Sequence, residues 1–388
     1  MVELGFPRRI IYNEPAGEAL KGLLGFLGVK RVLIVTDKVV SGLPFFAGIT
    51  GALEEGGYEF RVFDEVEPEP PIDVGDDVAD AARELGAEAI IAVGGGSVID
   101  AAKAGLVKLI RPDVGVEEVA PFNPLGLELR RPVLIAVPTT SGTGSDASYG
   151  IVLTKVEEGR RLKIAVGSYE VIPYATILDP AIVKGMNRKL TIGTAVDALA
   201  HAVEALASTQ SNTLTDALAV KVVEVVFRAL PRILEDPENE ELRAEMHLAA
   251  TMAGMAFSNA GLGLAHAIAH PLGATLKVHH GTIVGLVLPY VVDYNYESEE
   301  ARAKYEYAKK VIEELLGRPR MVRLSDHIRK LYEEIGQPTR IRELGVSRED
   351  FESVKKTVAE EALHDPDIAY NPRTPIPDDI EKLLDEMY

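Results

Sequence analysis

Short apolar runs alternate with helical periodicities along the first half of the chain. RVLIVT (31–36), YEFRVF (58–63), EAIIAV (88–93) and PVLIAV (132–137) read as strands. VGDDVADAAREL (74–85) and VIDAAKAGLVKLI (98–110) read as helices. Continuous apolar strands joined by helical crossovers imply a parallel sheet covered on both faces. Residues 151–180 read as further strands, ending in ATILDP. Beyond about residue 183 the pattern changes. Long amphipathic periods over 191–208, 214–230, 241–260, 300–317 and 324–336 predict helices, with few strand signals. The pattern therefore predicts an α/β domain over 1–183 and an all-helical domain over 184–388.

Composition narrows the chemistry. With 388 residues and 47% hydrophobic content, the chain can build more than one core. A formal net charge of −19 argues against nucleic acid and anionic membrane surfaces as partners. The chain has no cysteine, which removes disulfides, thiolate metal sites and thiol nucleophiles. Any metal must be held by His, Asp or Glu. MVELGFPRRIIYNEP lacks the apolar core of a secretion signal, and no uninterrupted apolar run has the length of a membrane span. A cytoplasmic protein is the expectation.

Two turns follow strands at positions suited to a nucleotide. AVGGGSVIDAAK (92–103) places Gly94, Gly95 and Gly96 between a strand and a helix. Glycine admits close ligand approach, and a helix start offers free N–H groups to phosphate. Ser97 and Asp100 have capping-box spacing. A tight, well-capped turn is the competing reading. PTTSGTGSD (138–146) repeats the arrangement after another strand and offers the hydroxyls of Thr139, Thr140 and Thr143. Two such loops at strand carboxyl ends favour one shared crevice. Asp37, closing the strand 31–36, suits ribose hydroxyls or simply a solvated turn.

Four of the eight histidines fall within HAIAHPLGATLKVHHG (266–281). His266 and His270 lie one helical turn apart, and so do Asp197 and His201 in VDALAHAVEA. His280 follows before Gly281. Each pair alone reads more readily as a helix-surface hydrogen bond than as a metal site. Their Ala- and Gly-rich surroundings make unpaired polar groups costly, and one divalent cation compensates several at once. Three imidazoles and a carboxylate suit Fe2+ or Zn2+. His247, His327 and His364, in charged contexts, read as solvated surface.

LIVTD, GGGSVIDAAK, PTTSGTGSD, VDALAHAVEA, FSNAGLGLAHAIAHPLG and HHGTIVGLVLP, in this order, make the chain resemble the iron-dependent (group III) alcohol dehydrogenases. That family includes lactaldehyde reductase and 1,3-propanediol dehydrogenase. The resemblance covers nearly the whole chain. It implies a Rossmann-like N-terminal domain with a parallel sheet, an all-helical C-terminal domain of the dehydroquinate synthase-like kind, and an active site in the cleft between them. The implied metal ligands are Asp197, His201, His266 and His280. His270 matches a nearby non-ligand position suited to proton relay, and Phe257 a substrate-pocket position. Cofactor contacts fall on Gly94 to Ser97, Asp100, Thr139, Thr140, Thr143 and Lys163, with Asp37 favouring NAD over NADP. Three departures stand out: Asp146 where Glu is usual, Glu69 where Asn is common, and Val284 where Asn is often found.

The implied reaction is hydride transfer between NAD(P)(H) and a small alcohol or aldehyde whose oxygen is polarised by Fe2+, with Zn2+ as the other candidate. A homo-oligomer is expected from the family. The alternative is a dehydroquinate synthase-type NAD- and metal-dependent lyase. Its acidic substrate would call for basic residues, yet residues 257–289 contain only Lys277.

Overall fold

The computed structural model describes residues 3–121, 123–127, 131–157 and 160–388. The chain resolves into two compact units, Met1–Gly185 and Met186–Tyr388.

The first unit runs β1 (Arg9–Tyr12), α1 (Ala16–Leu27), β2 (Arg31–Val35), α2 (Lys38–Ser41), α3 (Pro44–Glu55), β3 (Glu59–Phe63), α4 (Val74–Leu85), β4 (Ala89–Gly94), α5 (Gly96–Ile110), β5 (Val133–Pro138), β6 (Gly150–Glu157), β7 (Arg160–Gly167), β8 (Ala175–Leu178) and α6 (Pro180–Val183). Six strands form one sheet in the order β1-β8-β5-β4-β2-β3, and all its pairings are parallel. Strand alternation sends Leu33, Val35, Ile90 and Ala92 into a core with α4 and α5. Val32, Ile34, Ala89 and Ile91 pack with α1 and α3 on the other face. Burial on both faces explains the continuous apolar runs. The order reverses around β2, so the carboxyl ends of β2, β4 and β5 lie at a topological switch point, where ligands of open α/β sheets bind. The strands expected over 151–180 include β6 and β7, which form a separate antiparallel pair rather than extending the sheet.

The second unit is helical throughout: α7 (Arg188–Ala207), α8 (Thr213–Glu235), α9 (Glu240–Ala260), α10 (Leu264–Leu276), α11 (His280–Asn295), α12 (Glu299–Leu315), α13 (Leu324–Ile335), α14 (Arg348–Ala362) and α15 (Pro377–Met387), with short 3-10 turns between. On length and composition α7 would suffice to cross a membrane, but it is the buried central helix of this unit. A helix buried all round is apolar all round, which accounts for the reading. Two histidines expected at the surface are buried. His247 lies inside α9, and His327 meets Glu313 at 3.2 Å through Nε2. Only His364 of those three is exposed. Both positions face inward despite the charged residues near them in sequence, so local composition misreports them.

Candidate metal centre and nucleotide loops

Three helices of the second unit bring four donors to one point. Asp197 and His201 sit one turn apart on α7, His266 on the first turn of α10, and His280 at the start of α11. Nε2 of His201, His266 and His280 lies 3.9, 3.8 and 3.7 Å from Asp197 Oδ1. Those separations are too long for hydrogen bonds. They approach the edge of a tetrahedron with bonds of about 2.1 Å, roughly 3.4 Å. Asp197 and His266 are 3% and 1% exposed, and neither Asp197 Oδ1 nor His266 Nε2 has a hydrogen-bond partner among the described residues. Buried polar atoms left so are costly, and a divalent cation among them removes the cost.

Burial opposes the charge on Asp197, yet the imidazoles of His201, His266 and His280 hold its carboxyl well below the usual range. Burial also opposes a charged His266, but the carboxylates of Glu204 and Asp197 outweigh it and push the ring up to about 10. In both groups the mutual attraction of ligand atoms exceeds desolvation. A cation takes the place of those protons when it binds.

Close helix approach makes the arrangement possible. A Cβ on Gly281 would lie 2.1 Å from the carbonyl oxygen of Gly193 and 3.2 Å from Asp197 Cβ. Only glycine lets α11 come near enough to α7 for His280 to face Asp197.

Glu204 was not singled out from the sequence. It lies seven residues after Asp197, on the same face of α7, and that spacing is the signal that would have found it. One carboxylate oxygen contacts Nδ1 of His266; the other accepts the N–H of Ala265 at 2.7 Å and of His266 at 3.4 Å. Glu204 thus caps α10 and fixes the His266 tautomer, leaving Nε2 toward Asp197. Asn371 caps the same helix end through the N–H of Leu264 at 3.2 Å.

Phe257 stacks on His201 with centroids 4.5 Å apart, so it lies against the donor set. His270 stands one turn beyond His266, its ring stacked on His280 at 5.3 Å. Its Nδ1 meets Asp365 Oδ2 at 2.7 Å. Burial would raise the Asp365 carboxyl, but the His270 contact holds it below its ordinary value. Asp367 is pushed up to about 6 by burial and by the Asp365 charge.

In the first unit, the two glycine turns lie side by side at the ends of β4 and β5. Thr139 N–H donates to Gly94 O at 3.0 Å, and a Cβ on Gly96 would lie 2.9 Å from Thr143 Cγ2. Thr140 stands beside Gly95, its buried Oγ1 without a partner among the described residues. The capping box expected from Ser97 and Asp100 does not form. Gly95 is the N-cap, no side chain caps it, and Ser97 lies within the helix. The start of α5 therefore carries no side-chain cap to compete with an anion.

Asp100, expected to touch cofactor, is turned inward. Its carboxylate takes Val152 N–H at 3.0 Å and the Ser145 hydroxyl, and Lys103 Nζ stands 3.5 Å away. Lys103 also donates to Ser145 Oγ at 2.9 Å and Gly150 O at 2.6 Å. This buried pair ties the second loop to α5, a role the spacing did not suggest. Asp37 caps α2, accepting from the N–H of Val39 and Val40 at 2.8 and 2.9 Å. Lys163, on β7, pairs with Glu69 at 3.2 Å.

A parallel sheet with nucleotide-type loops and a helical His/Asp centre are the parts of a metal-assisted, nucleotide-linked enzyme. The chain matches the family profile "Iron-containing alcohol dehydrogenase" over residues 7–180 and its C-terminal counterpart, "Fe-containing alcohol dehydrogenase family, C-terminal", over 191–388. It is 31% identical over 393 residues to the NADPH-dependent butanol dehydrogenase of Clostridium saccharobutylicum, covering 100% of this chain and 98% of that one. It is 32% identical to the lactaldehyde reductase of Escherichia coli, covering 97% and 98%. The solved alcohol dehydrogenase from Oenococcus oeni superposes with a TM-score of 0.88 at 31% identity, covering 100% of both chains. The chain belongs to the iron-containing alcohol dehydrogenase family and is a metal-dependent, NAD(P)-linked alcohol dehydrogenase. These three relatives are dehydrogenases or a reductase, and none of them supports the lyase alternative.

Proposed function

We propose that the chain interconverts a small alcohol and its aldehyde with a divalent cation, Fe2+ foremost, held by Asp197, His201, His266 and His280. The observation that carries this reading is the convergence of three Nε2 atoms on Asp197 Oδ1, with Asp197 Oδ1 and His266 Nε2 buried and without a hydrogen-bond partner among the described residues. A cation there supplies Lewis-acid polarisation of the substrate oxygen. One carboxylate and three neutral imidazoles suit iron or zinc, with Glu204 holding the His266 donor in place. Phe257 offers the substrate an apolar wall. His270 takes the proton that alcohol oxidation releases and returns it in reduction; its place beside His280 supports that role.

The nucleotide reading rests on Gly94 to Ser97, Thr139, Thr140 and Thr143, which frame an uncapped helix start. Lys163 adds positive charge, whereas Asp100 supports the loops from behind. NAD is the favoured cofactor because Asp37 closes β2 with a carboxylate, which would repel a 2′-phosphate. The butanol dehydrogenase relative is NADPH-dependent, so the preference needs its own test. Replacing Asp37→Gly should narrow the ratio of kcat/KM between NADH and NADPH; an unchanged ratio would count against a ribose role. A cytoplasmic location is part of this reading, and family membership supports a homo-oligomer.

The deciding experiment follows NADH oxidation with small aldehydes on chelator-treated protein, before and after anaerobic Fe2+ addition, with metal analysis of each sample. Recovery with iron is expected. Full activity in protein shown to be metal-free would sink the assignment.

A further inference from the structure

The segment Asp365–Asn371 braces α10 at several points. Asn371 caps the helix through Leu264 N–H, and Tyr370 O accepts Thr209 N–H at 2.9 Å from the end of α7. Asp365 opens the segment and uses both carboxylate oxygens. Oδ1 accepts Asp367 N–H at 2.9 Å, and Oδ2 meets His270 Nδ1 at 2.7 Å. The side chains of His270 and Asp365 are only 13% and 11% exposed.

An ionised carboxylate only accepts hydrogen bonds, so Nδ1 of His270 must carry the hydrogen. In the neutral ring the lone pair is then on Nε2, at the far side of the imidazole. The ring is held at its edge by Asp365 and on its face by His280. A histidine with both tautomer and plane fixed presents one nitrogen in one direction.

We infer that Asp365 is a positioning residue for the dehydrogenase reaction: it holds the His270 ring and its tautomer so that Nε2 is the atom presented for proton exchange with the reacting alcohol. This inference rests on the role given to His270 above. Asp365 itself touches no reacting atom. Its side chain is anchored by the backbone of its own turn, so it serves as a fixed point rather than a mobile acid. The arrangement parallels Glu204 and His266, where a carboxylate also sets an imidazole through Nδ1. The two carboxylates thus orient successive histidines on one face of α10.

A thermodynamic cycle tests it. His270→Ala, Asp365→Ala and the double variant are compared for iron content, NADH binding by fluorescence, and kcat with a small aldehyde. Asp365→Ala should lower kcat about tenfold to a hundredfold in the parent background, with iron content unchanged. In the His270→Ala background the same change should alter kcat less than about twofold, because the two residues act as a unit. Long-range proton–nitrogen spectra of the metal-loaded protein should show the Nδ1–H tautomer of His270 in the parent and a changed tautomer balance in Asp365→Asn. Equal losses in both backgrounds, or loss of iron with Asp365→Ala, would overturn the inference while leaving His270 its role. Full kcat in His270→Ala would instead overturn the role of His270, and the inference with it. Should Asp365→Ala fail to fold, Asp365→Asn, which keeps the shape, completes the cycle with the same outcomes.

Discussion

The nucleotide loops and the metal centre treat buried charge in opposite ways. Behind the loops, Asp100 is 7% exposed and Lys103 fully buried, and each finds its partners within the protein. Burial raises the Asp100 carboxyl and lowers the Lys103 amine, and their mutual attraction opposes both shifts. What the loops offer a ligand is mostly backbone: glycines and an uncapped helix start. In the helical unit, Asp197 Oδ1 and His266 Nε2 face each other across 3.8 Å, and neither has a hydrogen-bond partner among the described residues. One region pairs its buried charges internally and presents mainly its main chain. The other is complete only with a cation, and presents side chains. Substitutions should therefore damage the first through stability and the second through metal content.

The sharpest break of that contrast leaves every donor in place. Gly281→Ala puts a methyl group 2.1 Å from Gly193 O, so α11 must move away from α7 and carry His280 from Asp197. Metal affinity should fall by more than about a hundredfold, and activity with it, since the donor geometry is lost. Iron content after dialysis against a weak chelator measures this. Retained iron at parental levels would show that the helix contact does not set the site.

Lys103→Met tests the other region. It leaves Asp100 buried without its countercharge, a change that costs about 3–5 kcal/mol where it has been measured. The expected readout is a lower denaturation midpoint and weaker NADH binding, with iron content unchanged in the folded protein. A variant that kept its midpoint but lost iron would reverse the distinction drawn here. Glu204→Gln lies between these cases, for it keeps the shape of α7 but weakens the hold on His266 Nδ1. Metal affinity should fall about tenfold to a hundredfold. A calorimetric titration with Zn2+ reads the change directly, and unchanged affinity would remove Glu204 from the site.

The same contrast explains what could be read before the structure. Side-chain chemistry leaves spacing: Asp197 with His201 and His266 with His270 announce one helix face each. Parallel strands leave apolar runs, so β2, β4 and β5 were evident. Partnership across the chain leaves little trace. Asp100 shows capping-box spacing with Ser97, yet its partners are Ser145 and Val152, more than forty residues on. Glu204 stands in the quoted VDALAHAVEA without revealing that α10 will begin beside it. Asp365 is ninety-five residues from the ring it holds. The short edge strand β1, with Ile10 and Tyr12 partly exposed, lacks the apolar run that marks the central strands.

The smallest effect concerns how far the nucleotide site is tuned from its rim. Glu69 holds a left-handed backbone, φ 53°, between Pro68 and Pro70, and its carboxylate meets Lys163 at 3.2 Å. The loop is fixed to β6, since Thr154 N–H donates to Pro70 O at 2.8 Å, and Thr154 pairs with Lys163. Along β6, Gly150 meets Lys103 and Val152 meets Asp100, so the strand advances toward the glycine end of α5. Lys163 and Glu69 therefore sit toward the anion-binding end of that helix. A partly exposed pair of this kind is worth little to stability. Its charge still acts on a bound anion within about 10 Å at ordinary salt. Glu69→Gln should tighten NADH and NADPH alike by about twofold to fivefold, and the gain should shrink as salt is raised. Fluorescence titrations at two ionic strengths decide it. Weaker binding after the change would make Glu69 a direct ligand of the nucleotide, and the first region would then share with the second a dependence on side-chain donors.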